Sequence, residues 1–220
     1  SHRVSILTGH YGTGKTEVSV NLALALAAEG EQVMLADLDI VNPYFRSRER
    51  RPLLEKAGVR VISSSQACSD ADVPALPAEL LTILENREIR GILDIGGDPV
   101  GARVLARFQP KIVQEDYQLI FVLNANRPEV RDAESAAAYL RSIEAVTGLT
   151  CSGLVNNTHL CGETTPAEIR KGAALAQEVS RQTGIPILCH TAERRFLESL
   201  SDLGEPVFPI AINMKKPWER

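Results

Sequence analysis

The sequence has few cysteines and none placed to make a site by themselves. Cys68, Cys151, Cys161 and Cys189 lie far apart with no C-x-x-C pair, which excludes a dense disulfide scaffold and a local zinc or iron–sulfur site. They read as small buried apolar residues of a reducing, cytoplasmic protein. No run of about 18 apolar residues is present to span a bilayer, and the start lacks the charged-then-apolar order of a signal peptide. Ser1 and His2 read as the remainder of a cleaved tag and receive no role. Charge of one sign is lacking as well. The formal net charge is -4 with both signs interspersed, which gives no overall drive toward nucleic acid or anionic lipid, so neither partner is expected. There is no internal repeat, low-complexity tail or linker. With 44% hydrophobic residues, 220 residues suffice for one substantial core and are few for two, so a single domain over 1–220 is expected.

What is present is an alternation of short apolar runs and helical patterns. Val4 to Thr8, Val33 to Ala36, Val59 to Ile62, Ile92 to Ile95, Leu119 to Leu123, Gly153 to Asn156 and Ile187 to Cys189 read as strands. Thr16 to Ala28, Ala78 to Asn86, Arg131 to Val146 and Pro166 to Thr183 have helical spacing, the last with Pro166 in its first turn and Thr164 or Thr165 as cap. Such alternation predicts a doubly wound α/β fold, a mostly parallel sheet with helices on both faces and ligands at the carboxyl ends of the strands. Two stretches break the rhythm: Ile40 to Pro52, with Arg46, Arg48, Arg50 and Arg51, and Ser63 to Pro77, rich in Ser, Asp, Ala and Pro. Both read as loops or loop-edged short helices.

The strongest chemical signal is G-H-Y-G-T-G-K-T, residues Gly9, His10, Tyr11, Gly12, Thr13, Gly14, Lys15 and Thr16. It matches the phosphate-binding loop, or P-loop, pattern G-x-x-x-x-G-K-[ST] and sits after an apolar strand and before a helix, where the mechanism needs it. The glycines let the backbone curl so that successive N–H groups face phosphate oxygens, and the helix adds its positive N-terminal end. Lys15 is expected to neutralise the β- and γ-phosphates, and Thr16 to offer its hydroxyl to Mg2+.

Two acidic strand ends accompany it. In L-A-D-L-D-I, Asp37 and Asp39 fall on one side of the strand or in the loop that leaves it; one suits the magnesium shell and the other an attacking water. In G-I-L-D-I-G-G-D, Asp94 closes an apolar strand as a second-shell magnesium ligand of the Walker B kind does, and Gly97 is placed to bring its N–H to the γ-phosphate.

These segments, with the helix V-N-L-A-L-A-L-A-A-E-G, N-R-P-E-V-R-D-A before a long helix, and P-I-L-C-H-T followed by E-R-R-F, resemble the MinD/ParA group of P-loop ATPases over nearly the whole chain. The group includes nitrogenase iron protein and metallocentre insertion ATPases. The resemblance implies that Asp39 activates the hydrolytic water, that Asp37 sits near magnesium, and that Asn156 lies on adenine. ATP is favoured over GTP, because N-N-T-H stands where a guanine-reading N-K-x-D would follow the strand. Two departures matter. The family's signature lysine, which reaches a partner subunit's nucleotide, is replaced by His10, and a usual glycine by Tyr11, which implies at most a weak ATP-dependent homodimer. Val207 to Arg220 lacks the long basic amphipathic helix that membrane cycling requires.

The arginines after Asp39 read as a nucleotide-sensitive switch or partner contact. His159 and Cys161 form a metal site only with ligands from elsewhere, so no metal beyond magnesium is expected. The function implied is a Mg-dependent ATPase acting as a switch on a protein partner. The alternatives are a P-loop enzyme that phosphorylates a small molecule, as dethiobiotin synthetase does, with Ser63 to Pro77 lining its pocket, and a metallocentre maturation ATPase.

Overall fold

The computed structural model describes residues 2–38, 50–63, 78–130 and 132–213. Strand β1 (Val4–Thr8) leads to helix α1 (Lys15–Ala28) and β2 (Gln32–Asp37). Next come α2 (Arg51–Lys56), β3 (Arg60–Ser63), α3 (Ala78–Glu85) and β4 (Ile89–Asp94). The short helix α4 (Pro99–Ala102), a 3-10 segment (Arg103–Arg107) and α5 (Gln109–Ile112) precede β5 (Tyr117–Leu123). The chain closes with α6 (Ala133–Thr147), β6 (Cys151–Asn156), α7 (Pro166–Thr183), β7 (Ile187–Glu193) and β8 (Val207–Ile210).

The strands form one sheet of eight in the order β3-β2-β4-β1-β5-β6-β7-β8, and every neighbouring pair is parallel. Burial on both sides is what near-continuous apolar strands require. Alternation sorts their side chains: Val4, Ile6, Leu93, Leu119 and Phe121 join a core with α3, α6 and α7, while Leu7, Ile92, Ile120 and Val122 join a second core with α1 and α2. The expected doubly wound α/β fold is therefore the fold observed.

Differences from the sequence reading have local causes. Helix α6 starts at Ala133 because Asp132 is its cap: the Asp132 carboxylate accepts from Ser135 N at 2.8 Å. Thr165, not Thr164, caps α7, accepting from Glu168 N at 3.4 Å. Strand β4 begins three residues early, through Arg90 and Gly91, which interrupt its apolar run. Strand β7 runs on to Glu193 because β8 pairs with it from His190 to Glu193. The sequence reading has no β8, which contains Pro209; at the sheet edge a proline is tolerated.

Candidate functional site

The loop between β1 and α1 curls over its own carbonyls. His10 O accepts from Thr13 N at 3.2 Å, Thr13 Oγ1 at 2.9 Å and Lys15 Nζ at 3.4 Å. Thr13 is fully buried, so its side chain braces the loop. Gly14 opens α1 in the left-handed region, at φ 84°, and a Cβ there would fall 2.2 Å from Asn157 Nδ2. Only glycine satisfies both conditions. Lys15 is buried at the first position of α1, followed by half-buried Thr16.

The strand ends bring acid to the same place. Asp37 and Asp94 are paired one to one across β2 and β4, and both are buried. Ile92 and Leu35, two residues before them, belong to the α1-side core, so alternation turns both carboxylates to the face where α1 begins. Thr16, Asp37 and Asp94 are oxygen donors of the kind magnesium takes, and the two carboxylates lie on the side of the sheet covered by α1, the helix that opens with Lys15 and Thr16. The residues present fit Mg2+ with a nucleotide. Gly97 closes the site from the other side: a Cβ on it would lie 2.7 Å from Tyr11 N and 2.8 Å from Lys15 Nζ.

Three braces were not legible as such. Arg127 Nε donates to Gly12 O at 2.7 Å. Asn157 Nδ2 donates to Thr13 O at 2.8 Å, and Thr191 Oγ1 in turn donates to Asn157 Oδ1 at 2.5 Å. Tyr139 of α6 donates its hydroxyl to Gly97 O and meets the His10 ring edge-on at 5.1 Å. The His10 ring is turned against its own chain, with Nδ1 3.8 Å from Glu129 Oε2, while Tyr11 is 51% exposed. His159 lies behind the loop, its Nε2 3.0 Å from a Cβ built on Gly14. Burial first, and the Arg127 charge second, lower its pKa to about 4, so it is neutral near pH 7. Asn157, Arg127 and Glu129 stand within motifs quoted above, but pattern did not assign them contacts.

Asn156 is the residue that the resemblance places on adenine. It is wholly buried and faces away from the loop: its Nδ2 donates to Ile169 O at 3.0 Å and lies 3.1 Å from His190 Nδ1, while its Oδ1 accepts from Thr158 N at 3.1 Å. It ties α7 and β7 to β6 and does not reach the P-loop. Successive residues at a strand end project to opposite faces, and the asparagine on the P-loop side is Asn157. Asp39, Arg46, Arg48, Cys68 and the segment from 64 to 77 lie outside the described residues. The described residues include no group of three or more His, Cys, Asp or Glu able to hold a metal ion, and no helix long and apolar enough to cross a membrane.

Residues 1–48 match the ParA family, described as NUBPL iron-transfer P-loop NTPase. Septum site-determining protein MinD of Helicobacter pylori is 24% identical over 99% of this chain and 87% of its own length. The chain has the P-loop NTPase fold and is similar to the MinD/ParA proteins. Cytosolic Fe-S cluster assembly factor cfd1 of Emericella nidulans is 36% identical over 43% of this P-loop NTPase and 26% of its own length. Among solved structures, Signal Recognition Particle 54 kDa protein from Aeropyrum pernix, in complex with GDP, superposes with TM-score 0.54 at 25% identity, over 84% of this chain and 40% of that one. The matches thus span about a quarter of the Emericella protein and two fifths of the Aeropyrum chain.

Proposed function

We propose that this P-loop NTPase binds Mg–ATP between the Gly9–Thr16 loop and the Asp37, Asp94 strand ends, hydrolyses it, and uses the cycle to switch its hold on a protein partner. The observation that carries the reading is the pair of buried carboxylates turned to the face where Lys15 and Thr16 begin α1. Two adjacent buried carboxylates repel each other, and a cation beside them offsets that cost.

Lys15 holds the β- and γ-phosphates, and the loop amides, steadied by Asn157 and Arg127, receive the remaining phosphate oxygens. Thr16, Asp37 and Asp94 would hold the magnesium, which when bound neutralises charge across the phosphates. Asp39, assigned from sequence, orients the attacking water. ATP is preferred to GTP because no N-K-x-D follows β6. His10, turned toward Tyr139 and Glu129, leaves any ATP-dependent homodimer without the cationic bridge of the wider family. A cytoplasmic location is proposed with it, supported by the name of the cytosolic Emericella relative.

Titration calorimetry with ATP, ADP and GTP, with and without Mg2+, tests this assignment. Magnesium-dependent ATP binding supports it, and no binding of any of the three refutes it. A second reading, an ATPase of iron–sulfur assembly, is favoured by the names of the matched family and the Emericella relative. Stable iron binding by the purified chain, dependent on ATP, would single it out.

A further inference from the structure

The loop after β4 is held at three points. Ile95 N donates to Leu7 O at 3.1 Å, Gly101 N donates to Asp98 Oδ1 at 2.6 Å, and between them Gly97 O accepts the Tyr139 hydroxyl. The first two anchors belong to the sheet and to the start of α4. The third comes from α6, some forty residues later in the chain, and is the one that acts on residue 97 itself.

The position of residue 97 gives that bond its meaning. A Cβ there would approach Tyr11 N at 2.7 Å, Tyr11 Cα at 2.9 Å and Lys15 Nζ at 2.8 Å, so the backbone of Gly97 lies against an amide and the ammonium of the P-loop, the groups that the proposed function gives to the phosphates. Tyr139 touches the other side of the same site, because its ring packs edge-on against His10 and is tilted over Phe121 of β5 at 6.2 Å. The ring is thus fixed by packing and its hydroxyl by one backbone carbonyl.

We infer that Tyr139 is a positioning residue for the terminal phosphate: its hydroxyl fixes the Gly97 peptide against Lys15, so that the loop meets a γ-phosphate already ordered and discriminates ATP from ADP. This inference rests on the proposed binding of Mg–ATP. Preorganisation matters here because a loop that orders only on binding subtracts that ordering cost from the affinity for the group it contacts. ADP, which lacks the γ-phosphate, gains nothing from the tether. Burial, with the nearby Asp98 carboxylate adding to it, pushes the Tyr139 phenol well above its ordinary pKa, so the hydroxyl remains a donor at every physiological pH.

The test is Tyr139→Phe, which keeps the ring, its packing on His10 and Phe121, and removes one hydrogen bond. Affinities for ADP and a non-hydrolysable ATP analogue, both with Mg2+, are measured on wild type and variant. ADP affinity is expected to stay within about twofold and analogue affinity to fall about three- to tenfold, the range one hydrogen bond of ordinary strength carries. Amide exchange at Gly96, Gly97 and Asp98 in the nucleotide-free variant is expected to quicken. An unchanged ratio of the two affinities, or an equal loss of both, overturns the role of Tyr139 while leaving Mg–ATP binding in place. Failure of the wild-type chain to bind either nucleotide overturns the binding reading instead, and the inference with it.

Discussion

Asn157 and Thr13 are 144 residues apart in the chain, yet the side-chain Nδ2 of the first donates to the carbonyl of the second at 2.8 Å. Both residues are buried, so without this bond the carbonyl would lack a side-chain partner that water cannot easily replace. Asn157→Ala is expected to destabilise the fold by about 1–3 kcal/mol, the cost of a buried group left unsatisfied, and to weaken nucleotide binding because Gly14 and Lys15 follow directly. Asn156→Ala is expected to destabilise comparably, through α7 and β7, with a smaller effect on binding by the molecules that remain folded. Denaturant unfolding and nucleotide titration on the two variants separate the roles; a larger binding defect in Asn156→Ala would restore that residue to the nucleotide.

Lys15→Ala removes a buried ammonium that donates to the His10 carbonyl at 3.4 Å. Affinity for Mg–ATP is expected to fall at least about tenfold, as the loss of a charge-assisted bond of about 1.5–3 kcal/mol requires, with the circular dichroism spectrum retained. Near-native binding measured by calorimetry contradicts the P-loop assignment.

Gly97→Ala adds a single methyl group where the neighbours at 2.7 and 2.9 Å are backbone atoms of Tyr11. Backbone cannot rotate away as a side chain would, so the P-loop or the loop after β4 must shift. Binding of an ATP analogue is expected to suffer more than binding of ADP, with little loss of secondary structure. Unaltered binding of both would show that the two loops separate in the bound state.

Asp39→Ala is expected to retain Mg–ATP binding and slow hydrolysis, because phosphate affinity comes mainly from the P-loop while an oriented carboxylate assists the water. Phosphate release at the wild-type rate would move that role to another residue.

His159 predicts a pH dependence. Its pKa is lowered from 6.5 to about 4 in the fold, by burial first and Arg127 second, so below about 6.5 the unfolded chain takes up a proton that the folded chain refuses. Its contribution is therefore fully present above pH 6.5 and is lost progressively as pH falls toward 4. His159→Gln should flatten that part of the stability profile in urea unfolding. An identical slope in both proteins between pH 6.5 and 4 would place the titration elsewhere.

The sequence by itself determined the repeating strand-and-helix order and the P-loop, because each rests on local causes. Apolar runs make strands, and G-x-x-x-x-G-K-T is legible within eight consecutive residues. It also placed Asp37 and Asp94 at strand ends, since their positions follow from where apolar runs stop. Only the tertiary structure decided what faces what. The choice between Asn156 and Asn157 turns on one step of strand alternation, which a strand boundary read from composition does not resolve. Tyr139 in sequence is one aromatic residue in an alanine-rich helix, and packing is the natural reading of it. Its bond to Gly97 exists because α6 packs against α4, the short helix that follows the loop after β4, a tertiary contact that no residue near Tyr139 announces. Arg127 likewise meets Gly12 because β5 lies next to β1 in the sheet, so the loops leaving the two strands emerge side by side.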